Sequence, residues 1–260
     1  MSAESVPNPN GVALRVRHLS VRARDRAILT DISIDIPDKE VTAVIGPSGC
    51  GKTTFIRSLN RMTETTHGLT VQGSVLYRGQ EEIYSPSVAP VLVRQRIGMV
   101  FQRPTVFPMS VYENVAFGLR LEHQPEDRIE QEVEYSLVRA GVWEEVKKDL
   151  DRPALSLSGG QQQRICIARA LAVRPRILLM DEPTASLDPV STQRVEATLE
   201  ELSREISIVM VTHSIAQAAR ASTRTAYVYQ GRLIEEGPTE ELFERPKQEL
   251  TEEYVTGRFG

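Results

Sequence analysis

The stretch "VTAVIGPSGCGKTT" (residues 41–54) decides how the chain is read. Residues 41–46 form an apolar run ending in glycine, the pattern of a strand buried on both faces of a parallel sheet. A helical pattern over about 52–62 follows directly. Between the two, Gly46, Gly51, Lys52 and Thr53 satisfy G-x-x-x-x-G-K-[ST]. Glycines let the backbone curl so that successive N–H groups point at phosphate oxygens, and the start of the helix adds partial positive charge. Gly46, Pro47, Ser48, Gly49, Cys50, Gly51, Lys52, Thr53 and Thr54 are therefore expected to line a phosphate cradle. Lys52 is expected to reach the outer phosphates, and the Thr53 hydroxyl is a hard oxygen suited to Mg²⁺.

Such a cradle needs a carboxylate at the end of a neighbouring strand, and "ILLMDEP" (177–183) supplies one. Asp181 closes an apolar run and is placed at the carboxyl edge of the sheet, where ligands of such folds collect; it is expected to hold Mg²⁺ through water. Glu182 projects differently and suits a general base acting on the attacking water. An acidic pair alone reads equally well as a solvated turn; beside the cradle the catalytic reading is preferred. His213 ends "SIVMVTH" (207–213) and Gln102 ends "IGMVFQ" (97–102). Parallel strands would bring both to the same edge, His213 as an orienting donor near the outer phosphate and Gln102 as an amide touching Mg²⁺ or water. A lone histidine at a strand end is more often a surface or core residue, and Gln102 stands out only in this company.

Outward from these motifs, 13–22 and 28–37 alternate apolar and polar residues as half-buried strands do, and 69–79 reads as a further strand and turn. From about residue 86 the character changes to a proline loop, "RPTVFPMS" (103–110), followed by helical patterns at 111–122 and about 126–140. The expected organisation is a loose tail over 1–12 and an α/β core formed by 13–88 and 160–260, with a helical lobe inserted at about 89–159. In the second core segment, helices are expected at about 160–173 and 190–204. Strands are expected at 176–181 and 207–213, and a hairpin over 223–237 turning at Gln230-Gly231.

The chain has 260 residues, 40% of them hydrophobic and 25% charged, with a net charge of −4. That balance argues against a dedicated nucleic-acid binder, which would carry a basic stripe. Two cysteines give no disulfide framework and fit a reducing compartment. Cys50, inside the cradle, reads more readily as a small residue that fits than as a thiol with lowered pKa; Cys166 reads as core. No run of about twenty apolar residues is present.

A second glycine turn, "LSGGQQQR" (157–164), opens a helix where the cradle already serves phosphate. An ordinary capped helix start accounts for Ser158 but not for two glycines. Together "GPSGCGKTT", Gln102, "LSGGQQQR", "ILLMDEP", "SLD" (186–188) and His213 occur in the order of the ATP-binding cassette proteins, and the chain resembles that family from about residue 13 to its end. The resemblance implies a RecA-like P-loop NTPase core with an N-terminal antiparallel β subdomain and an inserted helical subdomain, with ATP and Mg²⁺ as cofactors. It implies a head-to-tail homodimer in which Ser158, Gly159, Gly160 and Gln161 of one copy face the cradle of the other, and Asp188 crosses the dimer axis. One family feature differs: the aromatic residue that stacks on adenine falls at Ala23, with Arg22, Arg24 and Arg26 nearby as replacements.

Within the family, "GPSGCGKTTFIRSLNRM", the loop "VFQRPTVFPMSVYENVAFGLRL" and the ending "YVTGRFG" look like the ATPase subunits of bacterial phosphate importers. That implies a peripheral protein on the cytoplasmic face of the inner membrane, docked on two integral membrane permease subunits that are fed by an external phosphate-binding protein. Phe107, Pro108 and Met109 would wall a groove for a membrane-subunit helix, with Phe101 more readily a core residue. An importer ATPase for amino acids, molybdate or nitrate, or a soluble cassette used as a mechanical switch, are the competing readings.

Overall fold

Alternation and continuity of apolar residues sort the strands into two sheets. In the computed structural model, which describes residues 11–258, β1 (Val12–Ala23), β2 (Arg26–Pro37), β4 (Leu69–Tyr77) and β5 (Glu81–Glu82) form an antiparallel sheet in the order β2-β1-β4-β5. The others, β3 (Val41–Ile45), β6 (Ile97–Val100), β7 (Ile177–Asp181), β8 (Ser207–Val211), β9 (Arg224–Tyr229) and β10 (Arg232–Pro238), make a six-stranded sheet ordered β10-β9-β3-β8-β7-β6. Only β10 runs antiparallel to its neighbour; the remaining pairs are parallel. Every residue of β3, β7 and β8 is buried, as strands covered on both faces require.

The helices are α1 (Lys52–Ser58), α2 (Pro90–Arg96), α3 (Val111–Leu121), α4 (Glu126–Arg139), α5 (Trp143–Val146), α6 (Gly159–Ala172), α7 (Pro189–Ser203), α8 (Ile215–Ala221), α9 (Thr239–Glu244) and α10 (Glu249–Val255). The period-2 geometry of a strand divides the core. Ile177 and Leu179 of β7, with Val209 and Val211 of β8, join α1 and the antiparallel sheet on one face. Leu178, Met180, Ile208 and Met210 turn to the other face and pack with the helices of the lobe and with α7.

Three boundaries differ from the sequence reading. The first helix stops at Ser58 instead of about 62, because Arg61 takes a left-handed φ of 61° and its guanidinium bonds to Ile83 O and Val88 O. Strand β6, counted with the insertion by the 89–159 boundary, is an edge strand of the parallel sheet, hydrogen-bonded to β7 from Ile97 to Val100. Residues 1–10 of the expected tail lie outside the described residues, and Val12 already begins β1. The hairpin turn falls at Gln230 (φ 47°) and Gly231 (φ 75°), the left-handed pair that a two-residue hairpin loop demands.

Candidate active site at the sheet edge

Because β3, β6, β7 and β8 are parallel, the residues that follow each of them collect at one edge. The 46–54 loop leaves β3 there, Asp181 ends β7, Gln102 lies two residues past β6, and His213 lies two past β8. Gly46 has φ 149° and no room for a side chain: a Cβ would lie 2.1 Å from Val228 O. Lys52 is 5% exposed, and its Nζ donates to Gly46 O at 2.8 Å and Pro47 O at 2.9 Å, so its charge is held inside the ring of the loop. The loop is moored from outside as well. Gly231 N donates to Cys50 O at 2.9 Å, and Thr30 N donates to Gly231 O at 2.8 Å, which ties the cradle through the hairpin turn to the antiparallel sheet.

Thr53 Oγ1 donates to Asp181 Oδ1 at 3.0 Å. Asp181 is 4% exposed, and burial pushes its carboxyl above the usual range against the pull of the Thr53 hydrogen bond and of Arg57. Glu182 is the next residue, at φ 47°, a left-handed conformation uncommon for a residue with a side chain. That backbone turn aims Glu182 away from Asp181 and toward two partners. Gln102 Nε2 donates to Glu182 Oε2 at 3.0 Å, and His213 Nδ1 lies 3.1 Å from the same oxygen. Glu182 N is itself fixed on Val211 O at 2.9 Å. A hard-oxygen pair (Thr53, Asp181) thus sits beside a carboxylate held by an amide and an imidazole, next to an ammonium in a loop of N–H groups.

Cys50 is buried, and burial pushes its thiol pKa up, outweighing the nearby Lys52 charge, in keeping with a small residue that simply fits the loop. Cys166 is buried as expected. A cleft of about 560 Å³ opens beside the cradle, lined by Ala23, Arg26 and Ile28 on one side, Pro47 to Cys50 on another, and Tyr229 to Gly231 on the third. Of the three arginines offered as replacements for the aromatic residue, Arg26 lines this cleft; Arg22 is turned onto Asp25 O at 2.8 Å.

The second glycine turn stands on a different part of the molecule. Ser158 N-caps α6 in a capping box: its Oγ accepts from Gln161 N, and Gln161 Oε1 accepts from Ser158 N. Gly159 has open space where a Cβ would stand; Gly160 has none, because a Cβ would lie 2.3 Å from Ser191 Oγ. Asp188 caps α7, accepting from Val190 N, Ser191 N and Ser191 Oγ, and the Ser191 bond leads the causes that hold its carboxyl below the usual range. Gln161 Nε2 donates to Glu145 Oε2 at 2.9 Å.

Glu145 was not singled out by the sequence. It binds the buried Arg164 through both of that residue's terminal nitrogens, at 2.7 and 3.1 Å, and also Arg194 at 2.6 Å. Burial pushes the Glu145 carboxyl up, but these donors outweigh it and hold it low. Near the cradle, Gln217 bridges Thr212 and Thr184 at 2.7 Å each, joining the loop after β8 to the turn that carries "SLD". Phe101, expected in the core, is only half-buried; Phe107 packs on Phe117 and lies 4.2 Å beneath the Arg169 guanidinium, while Met109 is exposed.

Residues 29–185 match the family model described as ABC transporter. The chain is 50% identical over 248 residues to the phosphate import ATP-binding protein PstB of Thermotoga maritima, covering 95% of this chain and 98% of that protein. It is 51% identical over 247 residues to the protein of the same name from Salinibacter ruber, with the same coverage. Among solved structures, cbiO1 of Clostridium perfringens, part of the transporter complex cbiONQ, superposes with a TM-score of 0.80 at 32% identity, covering 91% of this chain and 92% of that one. A bacterial Atm1-family exporter with ATP bound gives a TM-score of 0.80 at 27% identity over 96% of this chain and 42% of that one.

Proposed function

The chain belongs to the ABC transporter family, and from that premise we propose that it is the ATP-hydrolysing subunit of a phosphate importer. The observation that carries the ATPase part is the convergence of Lys52, Thr53, Asp181, Glu182, Gln102 and His213 on one edge of the parallel sheet. The cargo rests on identity of about half over the full length of two phosphate-import relatives, since no part of a cassette need touch the transported ion.

In this reading the backbone of 46–51 wraps the triphosphate, and Lys52 exchanges its two loop carbonyls for phosphate oxygens. Thr53 and Asp181 fit Mg²⁺: they present two hard oxygens 3.0 Å apart, one of them a buried carboxylate that a cation would relieve of its desolvation cost. No cluster of three or more His, Cys, Asp or Glu side chains that could hold a metal ion occurs among the described residues, so the triphosphate would complete the ion's shell. When bound, the ion supplies charge neutralisation on the phosphates. Glu182 takes the proton of the attacking water as general base. Gln102 and His213 hold its carboxylate in one orientation, and the left-handed φ at Glu182 keeps it off the oxygen pair formed by Thr53 and Asp181.

Ser158, Gly159 and Gly160 offer neutral donors at the start of α6 to the triphosphate bound by a second copy, which makes ATP the link between two copies. Gln161 acts one step back, since its amide is engaged in the capping box and with Glu145. ATP favours the closed pair through its differential affinity for that state. No helix among the described residues is long and apolar enough to cross a membrane. In this reading the chain docks on permease subunits through the 101–110 loop, where Met109 is exposed. Proteoliposomes carrying the whole transporter, loaded with ATP and given labelled phosphate with its binding protein, test the assignment. ATP-dependent phosphate accumulation that stops with Glu182→Gln is expected; accumulation of molybdate or an amino acid in its place would overturn the cargo.

A further inference from the structure

The imidazole of His213 and the carboxylate of Glu182 ride on two different loops, and one buried amide joins those loops. The pairing of β7 with β8 ends with Asp181 opposite Val211, extended by Glu182 N on Val211 O at 2.9 Å. Beyond that bond Thr184 opens the turn after Glu182, while Thr212 to Ser214 lead into α8. Gln217, on α8, spans the two. It is 3% exposed; its Oε1 accepts from Thr212 Oγ1 at 2.7 Å, and its Nε2 donates to Thr184 Oγ1 at 2.7 Å. Thr212 Oγ1, itself buried, accepts from Ser214 N at 3.0 Å, and Ser214 Oγ accepts from Gln217 N at 3.2 Å. Both chain neighbours of His213 are thus held in one ring of hydrogen bonds that closes on Gln217.

We propose that Gln217 is a positioning residue for hydrolysis: its side-chain amide clamps the loop that carries His213 to the turn that carries Glu182, and so sets the imidazole against the carboxylate at 3.1 Å. Gln217 acts through those two side chains and not on the nucleotide. An amide is the group this place requires. It accepts from Thr212 and donates to Thr184 at once, which a carboxylate cannot do. Burial makes the clamp costly to lose, because a Thr212 hydroxyl left unpaired there is cut off from water. The lever arms are short as well. Thr212 and Ser214 adjoin His213, and Thr184 is two residues from Glu182. Slack of about 1 Å in the clamp therefore reaches the reacting groups nearly undiminished, and misplacement on that scale is felt in the rate.

This inference rests on the assignment of Glu182 as general base and His213 as the group that orients it. The test compares the intact chain with Gln217→Met, Thr184→Val, Thr184→Ser, the double variant Gln217→Met with Thr184→Val, Ala218→Gly and Glu182→Gln. Steady-state turnover, affinity for a non-hydrolysable ATP analogue and melting temperature are measured for each. Gln217→Met and Thr184→Val keep the size of their side chains and break the same bond from its two ends. Each is expected to lower kcat by about fivefold or more with analogue affinity within about twofold of the parent, the pattern of a lost transition-state arrangement rather than lost binding. The double variant should be little worse than the poorer single, and Thr184→Ser, which restores the hydroxyl, should recover most of the turnover. Ala218→Gly weakens the same helix without touching the clamp, and should lower the melting temperature while turnover is kept. The proposal is overturned if Thr184→Val or Gln217→Met keeps the parental kcat, if affinity falls as far as kcat, or if Ala218→Gly loses as much turnover at a comparable melting temperature. If Glu182→Gln stops turnover while the clamp variants do not, the clamp falls alone; if Glu182→Gln also turns over normally, the base assignment falls and carries the clamp with it.

Discussion

Gln102 Nε2 and Glu182 Oε2 are 3.0 Å apart, so an amide at the mouth of the helical lobe shares a hydrogen bond with the carboxylate proposed to activate water. His213 stands 3.1 Å from the same oxygen. The carboxylate's orientation thus depends on the loop after β6 and the loop after β8 together.

Replacing Glu182 by glutamine keeps the size of the side chain and removes the base. Turnover is expected to fall by about 100-fold or more, the usual worth of a positioned general base, with ATP still bound. Phosphate release and size-exclusion chromatography with ATP check both parts: the variant should elute as a pair of copies. Turnover within about twofold of the parent would remove Glu182 from its role.

Ser158→Arg tests the need for a second copy. Ser158 is exposed and its cap is local, so a single copy should fold and bind ATP as before. Hydrolysis should drop at least tenfold and ATP-induced pairing should vanish. Mixing the variant with Lys52→Ala would leave one composite site with an intact cradle and an intact serine turn, and activity should partly return.

Asp181 carries a carboxyl whose pKa is raised on folding, so the native state holds its proton more tightly than the unfolded chain. Stability from this group is full below the unfolded value and is lost as pH climbs from about there through the folded value. Asp181→Asn should therefore melt higher than the parent at pH 7, by about 2–4 °C if the gain is about 1 kcal/mol. The difference should shrink on acidification, while hydrolysis is lost. Calorimetry across pH decides it; a lower melting point at pH 7 would contradict the burial argument.

Arg26 lines the cleft where the family places an aromatic ring. Ala23→Tyr should supply a stacking face and tighten ATP by about fivefold or more, within the range of base–aromatic stacking, and should weaken the response to Arg26→Ala. Titration with ATP and GTP in parallel shows whether the bare cleft discriminates between bases.

Glu145→Ala would strand Arg164, which is 1% exposed and whose charge then meets only the Gly141 and Gly160 carbonyls. Breaking a buried pair from one side costs about 3–5 kcal/mol; chemical denaturation should show a loss of about 3 kcal/mol or more. The double change with Arg164→Met should recover part of it.

The cradle and the sheet edge were legible because their rules are local. A buried strand, a glycine turn and a helix occupy contiguous residues, and parallel strands bring their ends together. Residues 97–102 read correctly as a strand but were assigned to the lobe, since nothing local says which strand is its neighbour; β7, some eighty residues later, decides that. Glu145 and Arg164 carry no local signal of pairing, because only the approach of α5 to the start of α6 brings them together. The short helices α8, α9 and α10 have too few turns to show a period, and so the stacking of Tyr254 on Tyr227 of β9 was invisible.

Helix α6 is capped by Ser158 and, further along, grips the proline loop: Gln163 Nε2 donates to Phe101 O at 3.1 Å and Arg169 Nη2 to Thr105 O at 2.9 Å. In the proposed assembly, the surface offered to a second copy and the surface offered to a permease would thus be two handles on a single rod. A pull on either would then be carried to the other by one helix, a stiff mechanical transmission with no relay of small adjustments.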